Sequence, residues 1–243
     1  VGLQYVNNDA CYPSILSVGQ LMEAVLSGRY DTDKLALIMT QTGGCCRASN
    51  YVAFIRRALD KAGLGHIPVI SLNLNGMEKN SGFHVSPAMG LAALRQLVIG
   101  DLLMRCLYRT RPYEAVPGSA NALHAKWRDI AAAYAMGEKT GYTYGGICRG
   151  IVADFDALPL KEGLRKPRVG IVGEILVKYM PLANNYLVDL LEQEGAEAVV
   201  PDLTDFLVEC IYQQSYKHDY LGAPWTSSLL AKVGTDGIAA IRR

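Results

Sequence analysis

The residues of this chain that could do chemistry lie in loops. The stretch Thr40-Gln-Thr-Gly-Gly-Cys-Cys-Arg-Ala-Ser-Asn50 carries two adjacent thiols, Cys45 and Cys46, behind two glycines. It follows the apolar run Leu35-Ala-Leu-Ile-Met39, which predicts a buried strand. It precedes a segment in which Tyr51, Ile55, Ala58, Leu59 and Ala62 recur at helical spacing. Ser49 or Asn50 is the expected N-cap, and Gly63 the residue just past the helix end. A helix amino end presents free N–H groups and partial positive charge, which favour an anion or a thiolate. The stretch therefore predicts a strand-to-helix loop that is a site for chemistry, and the loop alone leaves open which chemistry. Its candidate contacts are Gly43, Gly44, Ser49 and Asn50 for a cofactor, and Cys45 and Cys46 for a metal.

Cys11 repeats this grammar. Leu3-Gln-Tyr-Val6 reads as a short strand, residues 7–14 as a loop, and Pro13 suits a first helical turn. The helix beyond carries Ile15, Val18, Leu21, Met22 and Val25 on one face and stops near Gly28. Pro68-Val-Ile-Ser-Leu72 predicts a further strand, followed by a polar loop from Asn73 to Gly82. In open parallel sheets the ligand crevice lies beyond the carboxyl ends of the strands. That rule brings Cys11, Cys45, Cys46 and the turn from Asn73 to Asn75 to one edge. The spacing of these thiols matches no compact metal signature such as paired Cys-x2-Cys repeats.

The other reactive residues read more plainly. Cys106 and Cys210 sit among apolar helix neighbours and are expected to be small buried hydrophobes, as is Cys148. The histidines His66, His84, His124 and His218 form no ligand motif and read as surface or helix-end residues. Thr42-Gly-Gly lacks the lysine of a phosphate-binding P-loop and does not fit G-x-G-x-x-G. Glu174, after a predicted strand, is a candidate acid/base or a loop-fixing carboxylate.

The remaining elements must position these groups. Residues 86–110 predict a long helix with Leu91, Leu94, Val98, Leu102 and Cys106 as its core stripe. Further helices are expected from Ala120 to Met136 and from Gly146 to Leu158. Residues 161–167, charged and ended by Pro167, read as a linker. Arg168-Val-Gly-Ile-Val172 is the next strand, and Gly173 to Pro181 its long loop. Asn184 is expected to cap a helix that ends at Gly195. Ala198-Val-Val200 is then a strand, with a helix from Phe206 to Tyr216. The fold class predicted is α/β, with two Rossmann-like parallel-sheet halves, residues 1–84 and 168–243, around a helical segment at 85–160.

At 243 residues the chain can bury a sizeable core, and half of its residues are hydrophobic. Its formal net charge of +1 leaves no electrostatic footprint for nucleic acid or an anionic membrane. No uninterrupted apolar run reaches the roughly 18 residues of a spanning helix. Six cysteines in a chain of this kind fit reduced thiols or a metal site better than disulfides, so a cytoplasmic location is expected. The start at Val1, without an initiating Met, suggests a piece of a longer protein.

Four segments resemble one family. They are Tyr5-Val-Asn-Asn-Asp-Ala-Cys-Tyr-Pro13, Met39-Thr-Gln-Thr-Gly-Gly-Cys-Cys-Arg-Ala-Ser-Asn-Tyr51, Arg109-Thr-Arg-Pro-Tyr-Glu114 and Arg168-Val-Gly-Ile-Val-Gly-Glu-Ile175. They look like the 2-hydroxyacyl-CoA dehydratase-related region of large acyl-CoA dehydratase activases, in the 2-hydroxyglutaryl-CoA dehydratase superfamily. The resemblance implies Rossmann-like halves that hold an iron–sulfur cluster through cysteine thiolates. It also implies an actin-like ATPase activase domain, in the same longer chain or in a partner, that drives electrons to the cluster. Carried across, it assigns Cys11 and Cys46 as ligands. Where the family shows Gly-Gly-Gly-Cys this chain has Gly-Gly-Cys-Cys, which makes Cys45 the extra thiol. Dehydratase subunits supply three cysteine ligands per chain, whereas two positions match here, and the ATPase portion is not in this sequence.

The function expected is thus a cluster-bearing component of an ATP-driven, low-potential electron-transfer system in anaerobic metabolism. Its expected partners are the activase, an acyl-CoA substrate or another reductase, and a second copy in a homodimer, with neither nucleic acid nor membrane. The alternative is a cluster-free scaffold whose glycine loop binds acyl-CoA or a small anion.

Overall fold

The computed structural model describes residues 1–41, 46–73, 78 and 82–242. The chain divides into two compact units, Val1–Val85 and Ser86–Arg243. In the first, helices α1 (Gly2–Tyr5) and α2 (Tyr12–Leu26) precede strand β1 (Leu37–Thr40), helix α3 (Tyr51–Lys61) and strand β2 (Val69–Leu72). The strands pair in parallel, from Leu37 opposite Val69 to Thr40 opposite Leu72. A parallel pair needs a crossover, and α3 supplies it. Val18, Met22 and Val25 of α2 meet Val52, Ile55, Ala58 and Leu59 of α3 over Leu37 and Val69. Gly63, at φ +74°, ends α3, and the Leu64 N–H closes back on the Leu59 carbonyl.

The segment Leu3–Val6, expected as a strand, lies in and just after helix α1. Four residues carry too short a period to separate helix from strand. Packing decides instead, because α1 lies directly on α2. A Cβ on Gly2 would come within 2.3 Å of the Ile15 carbonyl oxygen, and one on Gly19 within 3.0 Å of the Gly2 backbone.

The second unit opens with α4 (Pro87–Thr110), whose N-cap Ser86 accepts from the Met89 N–H. A 3₁₀ turn at Arg111–Tyr113 leads to α5 (Ser119–Ala135) and α6 (Tyr144–Asp156). These three helices enclose Ile99, Leu103, Leu107, Trp127, Ala131, Ile147, Ile151 and Phe155. Gly150 makes room for the Trp127 ring, which an added Cβ would meet at 2.2 Å. The expected core stripe of α4 is displaced by one position. Ile99, Leu103 and Leu107 are buried, whereas Leu91 is exposed and Leu94, Val98, Leu102 and Cys106 are only half-buried. Apolar residues occupy most sides of α4, so sequence periodicity could not choose among them.

The rest of the unit holds β3 (Arg168–Gly170), α7 (Ile175–Tyr179), α8 (Leu187–Gln193), β4 (Glu197–Val199), α9 (Leu203–Leu221) and α10 (Trp225–Arg242). Strands β3 and β4 pair in parallel, Arg168 opposite Glu197. Asn184 Oδ1 accepts from the Leu187 N–H at the start of α8, and Gly195 follows its end at φ +88°. Arg111 binds Asp189 and Glu192 of α8 at 3.0 and 2.7 Å. Residues 161–167 are fastened at Lys161, whose N–H donates to the Tyr113 carbonyl. The helical segment and the later strands thus fall within one unit, 86–243. Nothing in the sequence pattern announced α10, which packs on α9.

The architecture is α/β with helices dominant, and each parallel sheet has two strands among the described residues. Charges interrupt α4, yet the run Pro87–Tyr113 is long and apolar enough by length and composition to cross a membrane. It buries Ile99, Leu103 and Leu107 in the core of its unit. We expect Ile99→Ala to cost about 2–5 kcal/mol in chemical denaturation. Leu91→Ala should stay within about 0.5 kcal/mol of the parent. Equal losses in the two variants would show that the buried face of α4 is misassigned.

Candidate functional site

The thiol of Cys46 stands at the start of a continuous helical run, a 3₁₀ turn at Arg47–Asn50 that passes into α3. Its backbone is extended, at φ −71° and ψ 148°, and its Sγ accepts the Ala48 N–H at 3.5 Å. The expected cap was Ser49 or Asn50. Asn50 is the N-cap of α3 but its side chain makes no capping bond, because the 3₁₀ turn moves the first free N–H groups back toward Cys46. Ser49 Oγ donates to the Cys46 carbonyl at 2.7 Å, and the Ser49 carbonyl accepts from Gln41 Nε2 at 2.9 Å.

Gln41 links this turn to the sheet. Ser71 Oγ donates to Gln41 Oε1 at 2.6 Å, and Asn73 Nδ2 donates to Ser71 Oγ at 2.8 Å. Asn73 also reaches the Glu78 carbonyl, while Arg56 binds the Glu78 carboxylate at 2.8 Å and the Val69 carbonyl at 3.2 Å. The carboxyl ends of β1 and β2 are therefore joined by a polar network on which the Cys46 turn rests. Gly43, Gly44, Cys45 and Asn75 lie outside the described residues.

Cys11 is the N-cap of α2, with Pro13 in its first turn as expected. It follows α1 rather than a strand, so the parallel with Cys46 holds for the helix start and not for a strand end. Cys11 Sγ lies 2.9 Å from the Oγ of the fully buried Ser14. Both Cys11 and Cys46 are exposed, and both belong to the first unit. No described group of three or more His, Cys, Asp or Glu side chains converges as a metal site would.

The remaining cysteines divide. Cys106 and Cys148 are partly buried, and burial pushes the Cys106 thiol up to about 11. Cys210, expected to be buried, is exposed on α9, whose described residues bury only Thr204. Glu174 caps α7, with its Oε2 accepting the Val177 N–H at 2.9 Å, the loop-fixing role of the two expected. His218 sits near the end of α9, with Nδ1 2.7 Å from the Ala223 carbonyl oxygen.

Sequence reasoning missed a cavity of about 190 Å³ in the second unit. Asp101 of α4, buried, accepts the N–H groups of Leu203 and Thr204 and the Thr204 hydroxyl, at 2.6–2.8 Å. Asp202, also buried, pairs through Oδ2 with Arg105 and, at 3.0 Å, with Arg242. Burial raises the Asp202 carboxyl; Arg105 pulls it down, and Asp101 and Asp205 push it further up. Burial and then Cys148 push Tyr144, on the cavity wall, to about 12. The one carboxylate of an otherwise apolar and basic helix, Asp101, was the available signal, since such a residue needs a partner when buried. Asp202 and Thr204 also lie beyond the carboxyl end of β4, where the crevice rule looks for ligand contacts.

Compared with known proteins, the chain matches no protein-family model, no curated protein and no solved structure.

Exposure and thiol ionisation together order the cysteines. Alkylation at pH 8 should modify Cys11 and Cys46 well before Cys106, whose raised pKa leaves little thiolate below about pH 11. Raising the pH toward that value should bring Cys106 in. Peptide mapping by mass spectrometry reads the order, and equal rates at pH 8 would contradict the burial of Cys106.

Proposed function

We propose that this chain is a cluster-bearing component of an ATP-driven, low-potential electron-transfer system related to the 2-hydroxyacyl-CoA dehydratases and their activases. The observation that carries the reading is the pair Cys11 and Cys46. Both are exposed thiols at helix starts in one unit, and each sulfur has a polar neighbour, Ser14 Oγ or the Ala48 N–H. Hydrogen-bond donors at sulfur are among the levers that set an iron–sulfur potential.

These residues fit part of a cluster shell. Clusters are held by four thiolates, and the described residues of this unit offer two. A second chain or another part of a longer protein would supply the remainder. The bound cluster would supply one-electron transfer. The chain's own residues would hold it: Cys11 and Cys46 as ligands, Ala48 N–H steadying negative charge on sulfur, and Gln41 and Ser49 fixing the turn. In this reading the two small parallel sheets are reduced Rossmann-like halves. The same reading puts the ATPase elsewhere and the protein in the cytoplasm, a compartment where thiols stay reduced.

Anaerobic reconstitution followed by iron and sulfide analysis tests the proposal. Wild-type protein should take up iron and sulfide and show a broad visible absorption band. Cys46→Ser and Cys11→Ser should lose most of the iron, while Cys45→Gly keeps nearly all of it. Circular dichroism should stay unchanged in all three. Iron content equal in wild type and Cys46→Ser removes that residue from the shell. A wild type that takes up no iron favours instead a cluster-free module whose glycine loop binds acyl-CoA or a small anion.

A further inference from the structure

Helices α9 and α10 stand apart from the core of their unit. The cluster that α4, α5 and α6 enclose takes in no described residue of either helix. Along its 19 residues α9 buries only Thr204, and α10 buries Ala231 and Ile238, among the described residues. The two helices pack chiefly on each other. Gly234 lets them come close, since a Cβ there would meet Ile211 Cγ2 at 3.3 Å. The turn between them is closed by its own residues. Gly222 leaves α9 at φ +71°, the Ala223 N–H donates to the Lys217 carbonyl, and His218 Nδ1 lies 2.7 Å from the Ala223 carbonyl oxygen. Tyr216 of α9 and Trp225 of α10 remain 53% and 66% exposed, so the rest of the unit covers little of the hairpin's apolar surface.

Polar ties to the rest of the unit gather at the hairpin's root. Asp101 accepts the N–H groups of Leu203 and Thr204 and the Thr204 hydroxyl, at 2.6–2.8 Å. Arg105 pairs with Asp202, and the Tyr144 hydroxyl donates to the Ile241 carbonyl at 2.8 Å. Arg242 joins the hairpin's own two ends through Asp202 and Asp205. A buried ion pair adds little net hold, because desolvation offsets its attraction. Asp202 Oδ1 is buried with no hydrogen-bond partner among the described residues, and release into water would remove that desolvation cost. Few buried apolar contacts are the mark of a segment that opens by itself rather than with the whole fold.

We propose that the α9–α10 hairpin is an arm that detaches from the rest of its unit as one piece and so opens the cavity at its root. The walls of that cavity come from both sides of the joint: Thr204 and Ile241 belong to the arm, Leu102 and Cys148 to α4 and α6. Detachment removes one wall and bares Cys148, which is only partly accessible when the arm is docked. The inference concerns the second unit and stands apart from the cluster proposal, which rests on Cys11 and Cys46 in the first.

Native-state hydrogen exchange of the full chain, read by mass spectrometry at low denaturant, tests it. Peptides from α9 and α10 should exchange together, at least tenfold faster than those from α5 and α6. Asp101→Asn keeps the size of the side chain but leaves one acceptor oxygen for three donors. It should speed exchange of α9 and α10 equally, at least tenfold, and leave α5 and α6 unchanged. Alkylation of Cys148 by iodoacetamide should accelerate in that variant by the same factor. If Asp101→Asn does not fold, Tyr144→Phe, which removes the hydroxyl tie to Ile241, should speed both helices at least twofold. Exchange of α9 and α10 at the rate of α5 and α6, unequal acceleration of the two helices, or Cys148 labelling unmoved by Asp101→Asn would each overturn the proposal.

Discussion

The N–H groups in the first turn of a helix have no carbonyl partner within it, and each must find an acceptor. That requirement organises both units. Ser86 supplies the acceptor for α4, Thr143 for α6 and Glu174 for α7. A sulfur, Cys46 Sγ, serves the 3₁₀ turn ahead of α3. Helix α9 takes its acceptor from outside its own loop, at Asp101 in the middle of α4. A capping side chain is held in one orientation by the bond it makes. The residues best placed for chemistry are therefore the same residues that finish the helices.

Asp101 shows how far one such bond reaches. A carboxylate buried in an apolar helix is costly unless it is fully hydrogen-bonded. Three donors from Leu203 and Thr204 meet that need. By fixing the start of α9 they also fix Asp202, the residue before it, in the buried position where Arg105 and Arg242 reach it. Arg242 belongs to α10 and also binds Asp205 at 2.6 Å, so the last helix is tied to the same cluster. The cavity is what remains between these pairs and the amino end of α6. Its charges lie against a hydrophobic wall of Val98, Leu102 and Ile241, where they are screened less than on an open surface.

The first unit solves a smaller problem with a polar network. Two strands of four residues each offer little sheet, and their carboxyl ends are held together by side chains. Gln41 and Ser71, both buried, bond to one another, and through Ser49 they set the turn that carries Cys46. Buried polar groups of this kind are stable only when satisfied, which ties the position of the turn to the register of β1 on β2. Cys106 and Cys148, by contrast, lean against the helical core of the second unit and act there as small apolar groups.

Local pattern was enough to locate α2, α3, β1 and β2, and α4 to α6, within a few residues. Each has a strong period or a compact apolar run, and glycines such as Gly28, Gly63 and Gly137 mark their ends through positive φ. The exposed thiols at helix starts were legible for the same reason, since N-cap chemistry is a local property. Three features were decided only by the tertiary structure. Segment 2–5 became a helix because Gly2 and Gly19 let it lie on α2. The buried face of α4 was chosen by Trp127 and Ile151, since α4 itself is apolar on most sides. The pairing of Asp101 with the start of α9, and of Asp202 with Arg105 and Arg242, joins residues far apart in the chain. Sequence spacing encodes contacts one helical turn or one strand pair away. Contacts between distant elements exist only once hydrophobic packing has set those elements side by side.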